Sequence, residues 1–308
     1  MTRNCFWCME KSILVIASLL FSGLIMSLPI YAQSSCTTPP SGIISWWTGD
    51  GNTQDIVDSN PGTLVDDATF AAGKVGQGFS LDGIDDHVFI GNPNNLKITD
   101  DLTIEAWVST NDLIEGQRET VISKWAQVTA PNGDSYSLIL IKNIGIIQAE
   151  GAIGVPGISD GGFRGGNINS NMITHVAMTY DSSSGENKLY VNGQNVATRI
   201  KPGGISTSEN NVLIGHEDSF LPRPFSGLID EVTIYNRALS QTEIQGIFDA
   251  GSAGKCKPIS EVIGGTLIPI DTTSLLLAGA QSFSWMIPAV LSALGIGLFL
   301  SSRKSENS

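Results

Sequence analysis

Cysteine, histidine and basic side chains are scarce in this chain of 308 residues. It contains four cysteines, three histidines and 17 Lys and Arg against 30 Asp and Glu, so its net charge is −13. The histidines stand far apart, which argues against the paired-histidine motif of zinc hydrolases. A surface this acidic repels phosphate backbones, and we therefore expect no nucleic-acid partner.

Charge is also absent from a long stretch near the start of the chain. Arg3 and Lys11 precede an uncharged apolar run that ends at Ala32. A basic start, an apolar core and a small final residue are typical of a secretory signal peptide. We predict a signal peptide over residues 1–32; an uncleaved membrane anchor is the alternative, because the run is long for a signal core.

A second uncharged stretch lies near the end of the chain, and Arg303 and Lys304 follow it directly. About twenty apolar residues are enough to cross a bilayer. We predict a transmembrane anchor over residues 274–302, with the tail 303–308 in the cytoplasm by the positive-inside rule. A sorting signal that is removed after export is the alternative.

Only two cysteines, Cys36 and Cys256, lie outside the predicted signal peptide. In an oxidising compartment they would pair and join the two ends of one domain, residues 33–256. Residues 257–273, which include two prolines, are predicted to form a linker between this domain and the membrane. We expect the domain to be extracellular.

The predicted domain consists of short strands with period-two alternation, separated by Gly, Asn, Asp and Pro. Residues 102–108, LTIEAWV, place alternate apolar side chains on one face. Asn192-Gly193 suits a type I′ hairpin turn, because both central residues need positive φ. Further strands are predicted at 137–141, 172–180, 188–192, 211–215 and 227–235. This pattern indicates an all-β antiparallel sandwich.

One short helix is predicted, from about Ser240 to Ala250. Ser240 and Glu243 form a capping box, Leu239 and Ile244 stand at the staple positions, and a glycine follows the last turn.

Five segments together resemble the laminin G-like, concanavalin A-like jelly-roll domain of prokaryotic surface proteins. The resemblance covers residues 41–256 and implies a concanavalin A-like jelly-roll β-sandwich. It implies less about the ligand, because this fold hosts lectins, adhesion modules, glycanases and structural domains. The five segments are GIISWWTGDG (42–51), GKVGQGFSLDG (73–83), LTIEAWV (102–108), LYVNG (189–193) and FSGLIDEVTIYNRALS (225–240).

Trp46 and Trp47 are adjacent in a predicted strand. Neighbouring side chains of a strand point to opposite sides, so the two rings cannot form a single stacking platform. We expect one to enter the sandwich core and the other to cover the opposite face. A glycan platform built from one of them is the alternative.

Oxygen-bearing side chains next to these tryptophans suggest a calcium site. Asp50, Asn52 and Asp55 supply the hard ligands that Ca²⁺ prefers, although Asp and Asn in such loops more often cap backbone amides. The resemblance implies a structural calcium near the domain ends, with Asp50, Asn52, Asp55 and Asp230 as the expected ligands.

Asp230 enters this set because alternation places it on the same face as Val232 and Ile234, toward the core. A buried carboxylate needs a compensating partner. That partner is calcium, Arg237 or a group of backbone amides.

The sequence does not indicate an enzyme. Hydrolytic glycanases need paired carboxylates facing one cleft. Asp230 and Glu231 are adjacent and are expected to face opposite ways, while Glu105 has no acidic partner two positions along its strand. A Gly-x-Ser-x-Gly motif is also absent from the sequence.

Two long segments are candidate binding loops: the glycine-rich residues 151–166 and residues 216–225. They contain aromatic and charged side chains, and loops at the rim of a rigid sandwich commonly bind ligands; exposed loops without a ligand are the alternative. The candidate ligand-binding residues are Phe163, Arg164, Glu217, Asp218 and Arg223.

Together these observations predict an exported, membrane-tethered and non-catalytic module. It would recognise carbohydrate or another surface protein and carry a structural calcium. A glycan hydrolase on the same fold and a structural protein of the cell envelope are the alternatives.

Overall fold

Two antiparallel sheets face each other across an apolar core in the computed structural model of the chain. The structure describes residues 36–126, 134–158, 161–218 and 223–258, which belong to one compact unit that ends at Pro258. The predicted signal peptide, transmembrane anchor and tail lie outside the described residues. Within the described ranges, no helix has the length and apolar character needed to cross a bilayer.

We number the strands in chain order and name the larger sheet A and the smaller one sheet B. Sheet A consists, from edge to edge, of β13 (Gln194–Ile200), β12 (Glu186–Val191), β11 (Thr174–Asp181), β6 (Leu102–Thr110), β15 (Ser226–Tyr235), β4 (Gln77–Asp82) and β3 (Thr69–Ala72), and β1 (Ile43–Trp47) also pairs with β15. Sheet B consists of β10 (Phe163–Ile168), β9 (Ile146–Ile153), β8 (Tyr136–Asn143), β7 (Arg118–Lys124), β14 (Val212–Ile214), β5 (His87–Gly91) and β2 (Thr63–Val65).

Strand alternation divides each sheet into a core face and an outer face. In β6, Leu102, Ile104, Ala106 and Val108 all lie in the core between the sheets, as the sequence predicts. The predicted hairpin between β12 and β13 is also confirmed, because its two central residues, Asn192 and Gly193, have φ values of 50° and 76°. The architecture is therefore an all-β sandwich.

The single helix among the described residues, α1 (Gln241–Ala250), covers part of the outer face of sheet A. Its capping box is formed as predicted: the Ser240 hydroxyl accepts a hydrogen bond from the Glu243 amide, and the Glu243 carboxylate accepts one from the Ser240 amide. Ile244 and Ile247 pack against the outer face.

A disulfide between Cys36 and Cys256 joins the two ends of the sandwich, with a Cα–Cα distance of 4.9 Å. Next to it, Thr37 and Lys255 form an isolated β-bridge. The predicted pairing is confirmed, and it places the last described residues over sheet A.

The two adjacent tryptophans lie on opposite sides of sheet A, as predicted. Trp47 is in the core, and its indole N–H donates to the carbonyl of Asn60 at 2.8 Å. Trp46 lies on the outer face, where its indole N–H donates to Glu231 at 2.8 Å and the Lys255 ammonium lies 4.7 Å from its ring centroid. The pair is therefore structural rather than a platform.

A β-bulge in β15 overturns the prediction for Asp230. The register between β15 and β6 shifts between Asp230 and Thr233, and Glu231 has a φ of 58°. Ile229 and Val232 both reach the core. The prediction that Asp230 points toward the core is wrong, and so is the prediction that Asp230 and Glu231 face opposite ways. Both carboxylates lie on the outer face, because a bulge adds one residue to its strand and breaks alternation.

Candidate functional site

A groove of about 190 Å³ opens on the outer face of sheet B. The strands place polar side chains there because their alternate residues, such as Ile147 and Ala149 in β9, fill the core. The residues that supply its polar and aromatic surface are Arg118, Trp125, Ser137, Glu150 and Arg223. Trp125 follows β7 directly and is partly exposed.

Glu150 lies in the wall of the groove and is 7% exposed. Its Oε1 accepts a hydrogen bond from Nε of Arg118 at 3.3 Å, and its Oε2 lies 3.8 Å from Nε of Arg164. Oε2 has no hydrogen-bond partner among the described residues. Because Oε2 is closed to solvent, it contributes negative charge next to the groove rather than a contact with a ligand.

A second arginine–carboxylate pair lies beside the first. Nη1 of Arg223 donates to Oε1 of Glu217 at 3.0 Å, and the Glu217 side chain is fully buried. Arg223 lines the groove, so this pair orients its guanidinium at the groove surface.

The five predicted ligand-binding residues separate into two groups. Arg164, Glu217 and Arg223 lie at or beside the groove. Asp218 instead accepts hydrogen bonds from the backbone and side-chain amides of Asn211, both at 2.9 Å. The Phe163 side chain packs against the core between the sheets, because it precedes Arg164 in β10 and points the opposite way.

Sequence reasoning missed Arg118, Trp125 and Glu150. The predicted binding residues were taken from two loop segments, whereas Arg118 and Glu150 belong to β7 and β9. The outward position of Glu150 could be read from the alternation of β9. Its proximity to Arg118 could not, because these two strands are separated by β8 in the sheet.

The outer face of sheet A also contains buried charges, but here the chain covers them. The Lys255 ammonium donates to Oε1 of Glu105, and His175 Nε2 lies 3.1 Å from Oε2. All three residues are buried. Burial acts to raise the pKa of Glu105, but Lys255 and His175 outweigh it and lower that pKa to about 2. We call this group the buried charge cluster.

Two of the four predicted calcium ligands, Asn52 and Asp55, use their side-chain oxygens to accept hydrogen bonds from nearby parts of the chain. Asn52 Oδ1 accepts from the amide of Gln54 at 2.9 Å. Asp55 Oδ1 accepts from three backbone amides, including that of Trp46 at 2.9 Å, and Oδ2 accepts from Asn60 at 3.1 Å. These contacts are the turn and capping roles common for Asx residues, and they do not suit a cation site.

The other two, Asp50 and Asp230, lie close enough to interact electrostatically, and Glu231 adjoins them. Asp230 Oδ2 accepts from the amides of Lys74 and Val75 at 2.7 and 3.0 Å. Asp230 Oδ1 and Glu231 Oε1 are buried without a hydrogen-bond partner among the described residues. Burial and the nearby carboxylates raise the pKa of Asp230 to about 7 despite the two backbone donors. The oxygens of Asp50, Asp230 and Glu231 do not all lie within 4.8 Å of one another.

The Lys257 ammonium lies next to the carboxylates of Asp50 and Glu231. It pairs with Oδ2 of Asp50 and lies 3.5 Å from Oε1 of Glu231. A metal bound here would replace that ammonium.

A separate acidic group lies in the turn between β4 and β5. Asp82, Asp85 and Asp86 each bring a carboxylate oxygen within 4.8 Å of the others, the one set of three such groups among the described residues. The hydrogen bonds of this segment are those of a turn: Asp86 accepts from the Asp82 amide at 3.0 Å and Asp82 from the Ile84 amide at 2.8 Å.

Several solved structures resemble this chain. Domain 4 of AbnA, a GH43 extracellular arabinanase from Geobacillus stearothermophilus solved with arabinotriose, is 19% identical with a TM-score of 0.51, and the match covers 68% of this chain and 98% of that one. The binding domain of Paraclostridial Mosquitocidal Protein 1 is 15% identical with a TM-score of 0.52, covering 68% of this chain and 52% of that one. Trypanosoma rangeli sialidase in complex with sialic acid is 18% identical with a TM-score of 0.51, covering 68% of this chain and 33% of that one.

At these identities the likeness shows the fold alone, and the chain spans about half of the mosquitocidal domain and a third of the sialidase. No curated protein matches the chain in sequence. A family model described as the concanavalin A-like lectin/glucanases superfamily matches residues 82–245, more than half of the chain. Both sheets of the sandwich contribute strands to this range, which also contains most of the groove. The chain belongs to the concanavalin A-like lectin/glucanase superfamily.

Proposed function

We propose that the sandwich binds carbohydrate in the groove of sheet B and does not cleave it. One observation carries this proposal: the groove brings the partly exposed Trp125 ring together with the guanidinium groups of Arg118 and Arg223. Guanidinium N–H groups can donate to sugar hydroxyls, and the ring of Trp125 offers an apolar face against which a sugar ring can pack.

The likeness to an arabinanase domain solved with arabinotriose supports a carbohydrate ligand.

The arginine partners of the groove carboxylates support binding without catalysis. Glycoside hydrolysis needs one carboxyl group that is protonated and a second that is available as nucleophile or base. Here Glu150 faces Arg118 and Arg164, and Glu217 faces Arg223. A carboxylate held in an ion pair with arginine is less available for either role.

A polysaccharide panel tests both parts of the proposal. The full-length protein is incubated with each polymer, and retention and new reducing ends are measured together. We expect retention without cleavage. Glu150→Gln should abolish retention, whereas Glu186→Gln, the same change at an exposed position of sheet A, should not. New reducing ends would favour the hydrolase, and retention that survives Glu150→Gln would move the site elsewhere.

We also propose that the protein is exported and displayed at the cell surface through residues 274–302. The pairing of Cys36 with Cys256 supports an oxidising compartment. Cell fractionation with thiol labelling is the test: we expect the protein in the membrane fraction with these cysteines unreactive until reduced. A reduced, cytosolic protein would contradict export.

Finally, we propose that a structural calcium binds Asp50, Asp230 and Glu231. The buried Oδ1 of Asp230, which has no hydrogen-bond partner among the described residues, supports it, because carboxylates are preferred Ca²⁺ ligands. Chelation should lower the melting temperature, and added Ca²⁺ should restore it. Asp230→Ala should remove both responses, and Asp82→Asn should keep them. A response that is lost only in Asp82→Asn would assign the cation to the turn between β4 and β5.

A further inference from the structure

Two guanidinium groups approach the Glu150 carboxylate from opposite sides of its strand. Arg164 on β10 stands directly across from Glu150 on β9. Arg118 on β7 reaches it diagonally across β8, where Glu150 pairs with Ile139 and Arg118 with Ile141. The three charges therefore form a row across four neighbouring strands of sheet B.

Each of these arginines points only its Nε at Glu150. Among the described residues, no hydrogen bond or ion pair uses the terminal amino groups of either guanidinium. The side chains of Arg118 and Arg164 are 32% and 38% exposed, so these amino groups are accessible. A guanidinium has five N–H donors arranged to match a planar carboxylate, and most of these donors are unused here.

The groove also has a surplus of positive charge. Three guanidinium groups, those of Arg118, Arg164 and Arg223, face the two carboxylates of Glu150 and Glu217. This surplus occurs in a chain whose net charge is −13. One arginine is enough to neutralise Glu150, so the second is available to neutralise a ligand.

We propose that the groove selects acidic glycans, whose sugar carboxylate pairs with the terminal amino groups of Arg118 and Arg164. The inference rests on the proposed carbohydrate-binding function and names its ligand class.

The test compares each acidic polymer with a neutral form of the same polymer. Full-length protein is titrated with polygalacturonate, alginate and hyaluronate, and with each polymer after chemical reduction of its carboxyl groups. We expect at least one acidic polymer to bind about tenfold more tightly than its reduced form, because reduction removes the charge-assisted hydrogen bonds to the arginines.

Arg118→Gln and Arg164→Gln should each remove this preference for the acidic form. Each variant leaves Glu150 one guanidinium partner, and an unchanged melting temperature will confirm folding. Lys188→Gln is the matched control: it also removes one positive charge at 32% exposure, but on sheet A, and should leave affinity unchanged.

The outcomes separate the two proposals. Equal binding of acidic and reduced polymers, lost in Glu150→Gln, would overturn the preference for acidic glycans and leave carbohydrate binding intact. Tighter binding of a sulfated polymer with the same arginine dependence would contradict the assignment to carboxylates. Failure of every polymer, acidic and neutral, to bind would overturn the proposed function and this inference with it.

Discussion

The outer faces of the two sheets contain similar side chains in opposite environments. On sheet A, Glu105 meets Lys255 and His175 beneath the end of the chain, and all three are buried. On sheet B, Glu150 meets Arg118 and Arg164 at an open groove. On both faces a glutamate lies next to basic side chains, so residue type alone does not distinguish the two faces.

The difference arises from what lies above each face. Helix α1 and the segment that ends in the disulfide cover sheet A, where the ion pairs link the end of the chain to the sheet. Sheet B has no such cover among its described residues, and its arginines are accessible to solvent. The covered charges are therefore expected to determine stability and the open ones to determine binding.

The largest effect on stability is expected from Lys255→Met. The substitution leaves Glu105 buried with only His175 beside it, and breaking a buried ion pair costs about 3–5 kcal/mol. Urea unfolding of the full-length protein measures this loss. Lys257→Met, at a side chain that is 36% exposed, should cost much less. Equal losses would show that the buried charge cluster has no special role.

The disulfide is expected to contribute next. Cys36→Ser with Cys256→Ser frees both ends of the sandwich, and loss of a native disulfide costs about 2–5 kcal/mol. The midpoint of urea unfolding should fall, and reduction of the wild-type protein should reproduce the change. An unchanged midpoint would mean that the strands alone hold the chain ends.

Asp230 should make the stability of sheet A depend on pH. Because its pKa is raised to about 7 in the folded protein, the folded state favours the protonated carboxyl. The free energy of unfolding should therefore fall as pH rises from about 4 through 7 in the presence of a chelator. Asp230→Asn should flatten this slope, and Asp55→Asn serves as its control. A slope unchanged by Asp230→Asn would contradict the raised pKa.

The smallest effect on stability is expected from Arg118→Gln in the groove of sheet B. Glu150 keeps Arg164, and a partly exposed ion pair contributes about 0–1 kcal/mol. The unfolding free energy should change by less than about 1 kcal/mol, while affinity for glycan falls. A loss as large as that of Lys255→Met would show that the two faces do not differ as proposed.

Local features of the fold could be predicted because their causes lie within a few residues. The capping box of Ser240 and Glu243 and the positive φ values of Asn192 and Gly193 depend only on neighbours in the chain. The opposite orientation of Trp46 and Trp47 follows from strand geometry. The disulfide could be predicted because only two cysteines lie outside the predicted signal peptide.

The Asp230 prediction failed because its cause is not local. Alternation assumes an uninterrupted strand, and the bulge at Asp230 and Glu231 is set by the pairing of β15 with β6. That pairing joins segments more than a hundred residues apart, so no local pattern reveals it.

The sequence by itself determined several of the strands, the capped helix and the family to which the chain belongs, because short-range sterics and hydrophobic period act within each segment. Only the tertiary structure decided which outward-facing charges are covered and which remain open. Arg118, Glu150 and Arg164 meet because sheet order brings their strands together, and Glu105 is buried because the disulfide holds the end of the chain above it. Both outcomes depend on contacts between distant segments, and such contacts have no signature in a local sequence pattern.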